Sequence, residues 1–173
     1  MDSIRSAVSA SPSLKNIEFE LFETTKTRRQ AALLAASLVV QNWQYSLLSA
    51  RLHLMELYDS TPCSFSLAME RLHRGEVLSP VFAKTVKDNA HELDSQIKQS
   101  RDNDLTAIGL ATLKKSYLLR DKEGLVERPQ YLYMRIAVAL HGSNLESVFE
   151  TYDLLSRRLL SHATPTMFNA GTR

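Results

Sequence analysis

Apolar residues recur at three- and four-residue steps in the first third of the chain, which is the spacing of one helical face. The pattern runs from Thr27 to Tyr58 without an intervening Gly or Pro, so it predicts one long helix or two abutting helices. Turn-forming residues at 59–62 then end the pattern. The positions on the predicted buried face are Leu33, Leu34, Leu38, Asn42, Tyr45, Leu48 and Leu52.

Helix-boundary residues mark two further helices. Ser64–His73 carries apolar side chains at helical spacing, and Gly75 suits the C-terminal cap region of that helix. Ser79 and Pro80 then form a start signal, since Ser is a favoured N-cap residue and Pro is tolerated at the first helical position. The helix that they begin is predicted to fade from Gln96 onward.

The pattern changes in the following part of the chain. Leu105–Lys115 is compatible with a continuing helix. Two short runs, Ser116–Arg120 and Leu125–Arg128, flank Asp121–Gly124, whose composition is typical of a tight turn. This arrangement predicts one β-hairpin.

Helical spacing returns at Pro129, which suits a first helical turn, and Gly142 is expected to end that helix. Ser143–Glu146 has the form of a capping box for a last helix, which is predicted to extend to about Leu160. His162–Met167 is then predicted to be extended. The expected fold is mainly α, a helical domain with one β-hairpin and one strand at its end.

Composition and charge narrow the function classes. The 173 residues suffice for one domain, or for one domain with an appendage. The net charge is only +2 and basic residues form no block, which argues against a nucleic-acid partner. The most apolar stretch, Ala31–Val40, is too short to cross a membrane. Met1–Lys15 is rich in Ser and Ala without the apolar centre of a signal peptide, and is interpreted as a flexible tail.

Residues that carry chemistry are sparse. Cys63 is the single cysteine, which excludes a disulfide framework within the chain and fits a reducing, cytoplasmic environment. We therefore expect no metal site and no self-contained set of catalytic residues. Histidines are spread along the chain without metal-ligand spacing, at His53, His73, His91, His141 and His162.

The end of the chain is the exception. Thr164 and Thr166 flank Pro165, a residue that favours extended backbone before it and has no N–H of its own. Two hydroxyls beside free amides form a small donor set that can hold a phosphate or ribose oxygen. The alternative is that both threonines only fill a strand.

Several blocks in a fixed order carry a family resemblance. They are Leu113–Leu119, Glu127–Gln130, Met134–Arg135, Glu150–Leu155 and His162–Thr172. In order and spacing, this series resembles the large subunit of class I ribonucleotide reductase. An ordered series of this kind is far more specific than one short motif.

The resemblance implies an oxidoreductase that reduces ribonucleoside diphosphates to deoxyribonucleoside diphosphates for DNA synthesis, by a thiyl-radical route. The family works with a radical-generating small subunit and nucleoside triphosphate effectors. Thr164 matches the family's Ser/Thr position that contacts the substrate, and is the one candidate substrate-binding residue. Glu127–Gln130 would be a structural corner in which Arg128 pairs with a carboxylate. The family's catalytic cysteines have no match in this chain, and no cofactor is expected to bind it alone.

The resemblance also implies a division of the chain. Residues 1–26 would be a flexible tail that includes a remnant of the family's ATP-binding cone at Ile17–Leu21. Residues 27–160 would form the N-terminal helical domain. Residues 161–173 would be the first strand of an absent α/β barrel, so this end is expected to be mobile or to self-associate.

Two functions follow as expectations. In the first, the chain is an N-terminal fragment of the large subunit, inactive alone and dependent on the remainder of that subunit. In the second, it is a non-catalytic interaction module that binds the intact reductase or its other fragment. A generic helical scaffold unrelated to nucleotides is a third interpretation, which the ordered blocks disfavour.

Overall fold

The computed structural model describes residues 2–9, 14, 17–18 and 22–173. Residues 10–13 and 15–16 of the predicted tail lie outside this description. So do residues 19–21, which belong to the predicted cone remnant.

In the described part of the chain, ten α-helices and one two-stranded antiparallel sheet form. The prediction of a mainly helical fold with one β-hairpin is therefore confirmed. No described helix is long and apolar enough to cross a bilayer. The elements are α1 Asp2–Ser9, α2 Arg28–Ser37, α3 Gln44–Ser60, α4 Phe65–Arg74, α5 Pro80–Asp88, α6 Ala90–Gln96, α7 Ala107–Thr112, β1 Arg120–Asp121, β2 Gly124–Leu125, α8 Pro129–His141, α9 Leu145–Ser156 and α10 Thr164–Asn169.

The residues group into two compact units. The first unit comprises Met1–Asp59 and Asp102–Leu113, and the second comprises Ser60–Arg101 and Lys114–Arg173. The predicted division of the chain after residues 26 and 160 stays a prediction.

In the first unit, the segment predicted to be one long helix or two abutting helices forms two helices, α2 and α3, with a 3₁₀ turn at Leu38–Val40 between them. The predicted buried face of α2 is wrong at Leu33, which is 59% exposed, whereas Leu34 is partly buried against the core. Small residues let helices approach closely, and the Ser49 hydroxyl of α3 donates a hydrogen bond to the Ala32 carbonyl at 2.8 Å. The residues of α2 that are buried are Ala31, Ala32 and Ala35.

Helix α1 lies where the sequence predicted a flexible tail. Ile4 and Ala7 are three residues apart, which places both on one helical face, and both are buried in the core of the first unit. The Ala7 carbonyl also accepts a 3.0 Å hydrogen bond from Arg51 Nη1. Burial lowers the pKa of the Arg51 guanidinium from its ordinary value. Apolar burial and this hydrogen bond explain why α1 is ordered in spite of its Ser-rich sequence.

The second unit begins with helices whose starts were predicted correctly. Ser79 caps α5 by accepting a hydrogen bond from the Phe82 N–H, and Pro80 lies in the first turn. The helix predicted to run on to about residue 96 is interrupted at Asn89. The Asn89 side chain donates to the Thr85 carbonyl at 2.8 Å, and such local side-chain bonds compete with helix propagation.

The predicted C-terminal cap of α4 is confirmed, since Gly75 is the cap residue of that helix. Gly75 has φ −79°, and the left-handed residue is Glu76, with φ +60°. A Cβ at Gly75 would lie 3.4 Å from the Asp121 Cβ, at van der Waals contact with the hairpin. The hairpin therefore packs closely over the end of α4.

The hairpin pairs Arg120 with Leu125 and Asp121 with Gly124. The Asp121 carboxylate accepts hydrogen bonds from the turn amides of Glu123 and Gly124, at 2.9 and 3.1 Å. Its strands are shorter than predicted, because the chain is still π-helical up to residue 117 and α8 starts at residue 129.

Helices α8 and α9 follow the predicted boundaries closely at three of four ends. Gly142 ends α8 with φ +59°, which confirms its predicted role. The predicted capping box at Ser143 is wrong, since Asn144 is the N-cap and accepts from the Ser147 N–H. Helix α9 ends at Ser156, four residues before the predicted end, and Arg158 then adopts φ +60°.

The terminal segment, residues 161–173, contains a helix where the sequence predicted extended backbone. Residues 164–169 form α10, so the extended prediction for 162–167 is wrong. Pro165 lies in the first turn of α10, where no N–H is needed and its fixed φ suits a helix. The rule that proline disfavours helix before it did not decide the conformation here.

The last residues of the terminal segment pair within the second unit. Thr172 forms an antiparallel bridge with Leu78, and the Ser79 N–H donates to the Gly171 carbonyl at 3.0 Å. The Arg173 N–H donates to the Val77 carbonyl at 3.2 Å. The expected lack of pairing partners, on which the prediction of a mobile or self-associating end depended, is therefore wrong.

Candidate functional site

A buried ion pair lies at the centre of the second unit. Glu127 and Arg135 both have fully buried side chains, at 0% exposure. Arg135 Nε donates to Glu127 Oε1 at 2.6 Å, and Nη2 donates to Oε2 at 3.2 Å. Two parallel hydrogen bonds to one carboxylate fix the plane of the guanidinium. Glu127 Oε2 also accepts from the Leu119 N–H at 2.9 Å, which ties the pair to the chain entering the hairpin.

The remaining donors of Arg135 point to the terminal segment. Nη1 donates to the Ala170 carbonyl at 2.6 Å, and Nη2 donates to the Met167 carbonyl at 3.2 Å. Both carbonyls lie at the C-terminal end of α10, where backbone acceptors lack partners within the helix and carry partial negative charge. Arg135 therefore caps α10 from the side, with its charge balanced by Glu127.

Gly171 holds the same end of the terminal segment against α5. It has φ +76°, in the left-handed region that favours glycine. A Cβ at this position would lie 2.8 Å from the ring of Phe82, which is too close for any side chain. The turn after α10 therefore requires glycine for two reasons, backbone conformation and space.

Aromatic packing adds a third contact. The rings of Tyr117 and Phe168 stack with centroids 4.9 Å apart and an interplanar angle of 14°. Phe168 lies on α10, and Tyr117 ends the π-helical turn before the hairpin. Stacked pairs of this geometry add about 0.5–1.5 kcal/mol beyond burial.

Thr164, the candidate substrate-binding residue, is the first residue of α10 and is exposed. Its hydroxyl makes no hydrogen bond to the described residues and is accessible to a ligand. Thr166 is the third residue of α10 and is partly buried. Its N–H donates to the Ala163 carbonyl at 3.0 Å. The structure therefore separates the two threonines, which the sequence had placed side by side as donors.

The other candidate residues form no second site. His162 Nε2 is buried and has no hydrogen-bond partner among the described residues. Cys63 is an exposed free thiol. In the described ranges, no group of three or more His, Cys, Asp or Glu side chains is placed to hold a metal ion.

In the Glu127–Gln130 corner, Arg128 hydrogen-bonds to Thr61, and its predicted pairing with a carboxylate stays a prediction. Arg128 Nε donates to Thr61 Oγ1 at 2.9 Å, and Nη2 donates to the Thr61 carbonyl at 3.0 Å. The Arg128 guanidinium also lies over the Tyr131 ring at 5.4 Å. The carboxylate of the corner is that of Glu127, and it is bound by Arg135 of α8.

Comparison with known proteins gives a family. Residues 103–173 match the model of the ribonucleotide reductase all-alpha domain. The chain is 44% identical over 146 residues to a ribonucleoside-diphosphate reductase large subunit of African swine fever virus. The chain belongs to the ribonucleotide reductase large-subunit family.

Cellular relatives support the same assignment. The chain is 37% identical over 158 residues to the large subunit of Caenorhabditis elegans, and 38% identical over 158 residues to large chain 2 of Saccharomyces cerevisiae. The matches cover 80% of the chain for the viral relative and 86% for both cellular ones. They cover 18–20% of the relatives, so the chain spans about a fifth of the length of these large subunits.

The role of Arg135 in this family member was not predicted, although the sequence contains a signal for it. Arg135 is a charged residue within a helix whose residues from 129 to 138 are all buried. A charge at such a position must have a partner, because an unpaired buried charge is very costly. Only the fold identifies the partner as Glu127, eight residues earlier, and the two carbonyls of the terminal segment.

A second, less buried ion pair leads to a pH prediction. Arg71 donates to both Asp121 oxygens, at 2.6 and 3.0 Å, and these hydrogen bonds lower the pKa of the Asp121 carboxyl. The folded protein therefore binds this proton more weakly than the unfolded chain does, and stability falls as pH drops below the ordinary Asp pKa of about 4. We expect Asp121→Asn to be less stable than the wild type at pH 7 and to lose less stability between pH 5 and 3. Melting temperatures across this range test it, and curves that stay parallel down to pH 3 contradict it.

Proposed function

We propose that this chain provides the N-terminal helical part of a ribonucleotide reductase large subunit, which reduces ribonucleoside diphosphates to deoxyribonucleoside diphosphates for DNA synthesis. The observation that carries the proposal is the convergence of three sequence blocks that define the resemblance. Glu127, Arg135 and the terminal segment come together in one buried hydrogen-bond network in the second unit. The fold therefore uses the same residues that the family resemblance depends on.

The chemistry requires groups that this chain does not provide. Removing a ribose hydroxyl is a two-electron reduction, and a pair of thiols is the usual protein source of two electrons. Cys63 is the single cysteine in this sequence and is exposed. We therefore propose that activity depends on the remainder of the large subunit, a radical-generating small subunit and nucleoside triphosphate effectors. We place this assembly in the cytoplasm, where a reducing environment suits thiol chemistry.

Thr164 is the residue that we propose contacts the substrate. Its exposed hydroxyl can donate to a phosphate or ribose oxygen of a ribonucleoside diphosphate. Hydrogen bonds from neutral donors to charged oxygens are among the stronger ones in proteins. The remaining contacts to the substrate would come from outside this chain.

In the assembled reductase that contains this chain, Thr164→Ala is expected to raise the KM for the ribonucleoside diphosphate about tenfold to a hundredfold, the loss of one hydrogen bond to a charged group. Steady-state kinetics at saturating effector measure the change. Thr164→Ser keeps the hydroxyl and serves as the matched control, with KM close to the wild-type value. Unchanged KM and kcat in Thr164→Ala would remove this residue from the site.

A second candidate function, a non-catalytic module that binds the reductase, is favoured by exposed apolar side chains in the second unit. They include Val81, Leu140, Leu159, Leu160 and Phe168. Exposed apolar groups are typical of surfaces that contact a partner where they form one contiguous patch. Titrating the purified chain into an active reductase distinguishes the two functions. Inhibition of the complete enzyme favours the non-catalytic module. Recovery of activity when the chain is added to a reductase that lacks this region favours a role as part of the large subunit.

A further inference from the structure

Helix α10 has too few residues to define its own conformation. It spans six residues, and isolated helices of this length are not stable in water. Its N-cap residue, Ala163, has no side-chain oxygen to bind the first amides. The position of Thr164 at the start of α10 must therefore depend on contacts that the helix makes elsewhere.

Those contacts are concentrated at the opposite end of the helix. Arg135 binds the carbonyls of Met167 and Ala170, and its guanidinium plane is set by two hydrogen bonds to Glu127. All the side-chain hydrogen bonds of Arg135 in the described structure go to Glu127, Met167 and Ala170. A single α-helical turn rises about 5.4 Å, and α10 has only six residues, so its last turn directly adjoins its first. A displacement of the last turn therefore moves the first turn as well.

We propose that the Glu127–Arg135 pair is the positioning element for the substrate-binding end of the terminal segment. By fixing the carbonyls at the end of α10, the pair fixes the place of the Thr164 hydroxyl relative to the ribonucleoside diphosphate. This inference rests on the proposed function and deepens it. Arg135 is a positioning residue, since it acts on the substrate through Thr164.

The geometry explains why this position requires arginine. Its planar fork reaches a carboxylate and two backbone carbonyls at the same time, because five N–H donors point in fixed directions. A lysine has one ammonium on a flexible stem, which can pair with Glu127 but cannot hold both carbonyls in fixed directions. Arg135→Lys therefore keeps the buried charge balanced and changes only the hold on α10.

The test compares Arg135→Lys with wild type in the assembled reductase, using two readouts. Hydrogen exchange at the amides of residues 166–172 is expected to become about tenfold faster, because the carbonyl contacts that hold this segment are weakened. The KM for the ribonucleoside diphosphate is expected to rise about tenfold or more, as for loss of the Thr164 contact itself. The double variant Arg135→Lys with Thr164→Ala should be no worse than Thr164→Ala alone, since both changes remove one interaction.

The matched control is Asp153→Asn, which breaks the Arg101–Asp153 ion pair in the same unit. Neither partner of that pair makes a hydrogen bond or an ion pair to the terminal segment in the described structure. Its melting temperature is expected to fall, while exchange at residues 166–172 and the KM stay at wild-type values. A control that shifts exchange or KM as much as Arg135→Lys would reduce the effect to general stability and overturn the inference.

The outcomes of these experiments distinguish failure of the positioning role from failure of the proposed function. Unchanged exchange in Arg135→Lys overturns the positioning role and leaves the proposed function intact. Faster exchange with an unchanged KM, or additive effects in the double variant, overturns the link to the substrate. An assembled wild-type enzyme that reduces no ribonucleoside diphosphate overturns the proposed function and, with it, the substrate half of this inference.

Discussion

Arg135→Met is expected to lower the free energy of unfolding by about 3–5 kcal/mol, the usual cost of removing one partner of a buried ion pair. The variant leaves the Glu127 carboxylate buried without its main partner and leaves the Met167 and Ala170 carbonyls without donors. Methionine fills much of the same volume, so the loss reports on charge and hydrogen bonding and only slightly on packing. Denaturant unfolding of the purified chain measures the change.

The matched variant removes both charges. Glu127→Gln combined with Arg135→Met is expected to recover roughly half or more of the loss, because no uncompensated buried charge remains. A double variant as unstable as Arg135→Met alone would show that the carbonyl contacts, and not the unpaired Glu127 carboxylate, dominate the cost. An Arg135→Met variant within about 1 kcal/mol of wild type would contradict the buried pair itself.

Gly171→Ala is expected to destabilise the second unit by about 2–5 kcal/mol. A left-handed φ costs an L-residue roughly 1–2 kcal/mol, and an overpacked contact adds about 1–3 kcal/mol. Both apply here, since Gly171 has φ +76° and its new Cβ would lie 2.8 Å from the Phe82 ring. The turn must shift, and the bridge between Thr172 and Leu78 is then expected to break. Denaturant unfolding, with hydrogen exchange at residue 172, measures both effects.

Gly142→Ala is the matched control for Gly171→Ala. Gly142 also has a left-handed φ, +59°, but no atom lies within 4 Å of a Cβ built there. It is expected to cost only the backbone strain, about 1–2 kcal/mol. Adding Phe82→Leu to Gly171→Ala is expected to restore part of the stability, because a smaller side chain removes the close contact. Equal losses for the two glycines would show that the Phe82 contact is unimportant.

Element boundaries with local chemistry were predicted well from the sequence. Ser79 and Pro80 start α5, Pro129 starts α8 and Gly142 ends it, as expected. Each of these residues acts through its own backbone or its nearest neighbours, so no distant contact is needed. The misassigned cap at Ser143 is an error of one residue, since Asn144 supplies the same kind of acceptor.

Features that depend on distant contacts were not predicted. The buried side of α2 consists of alanines, because its partner α3 approaches closely enough for the Ser49 hydroxyl to bind the Ala32 carbonyl. Helix α10 forms although it is short and contains Pro165, because Arg135 and the pairing of Thr172 hold its C-terminal side. Local rules evaluated residue by residue miss both cases, since the stabilising groups lie far away in the sequence.

The candidate site shows the same split. Thr164 was identified from the resemblance, and the structure leaves it exposed at the start of α10. Arg135 was recognised only as part of a sequence block, and its partners became known from the fold. A buried charge in an apolar helix indicates that a partner exists, but the partner can be identified only from the tertiary structure.

By itself, the sequence determined the helical class, the hairpin, most helix ends and the family, because these depend on short-range chemistry and on the order of blocks. Only the tertiary structure decided which faces are buried, that the terminal segment is helical, and that Glu127 and Arg135 hold it. The physical reason is that burial and pairing are properties of surfaces brought together by folding. The free energy of a six-residue helix is too small to choose its conformation without them.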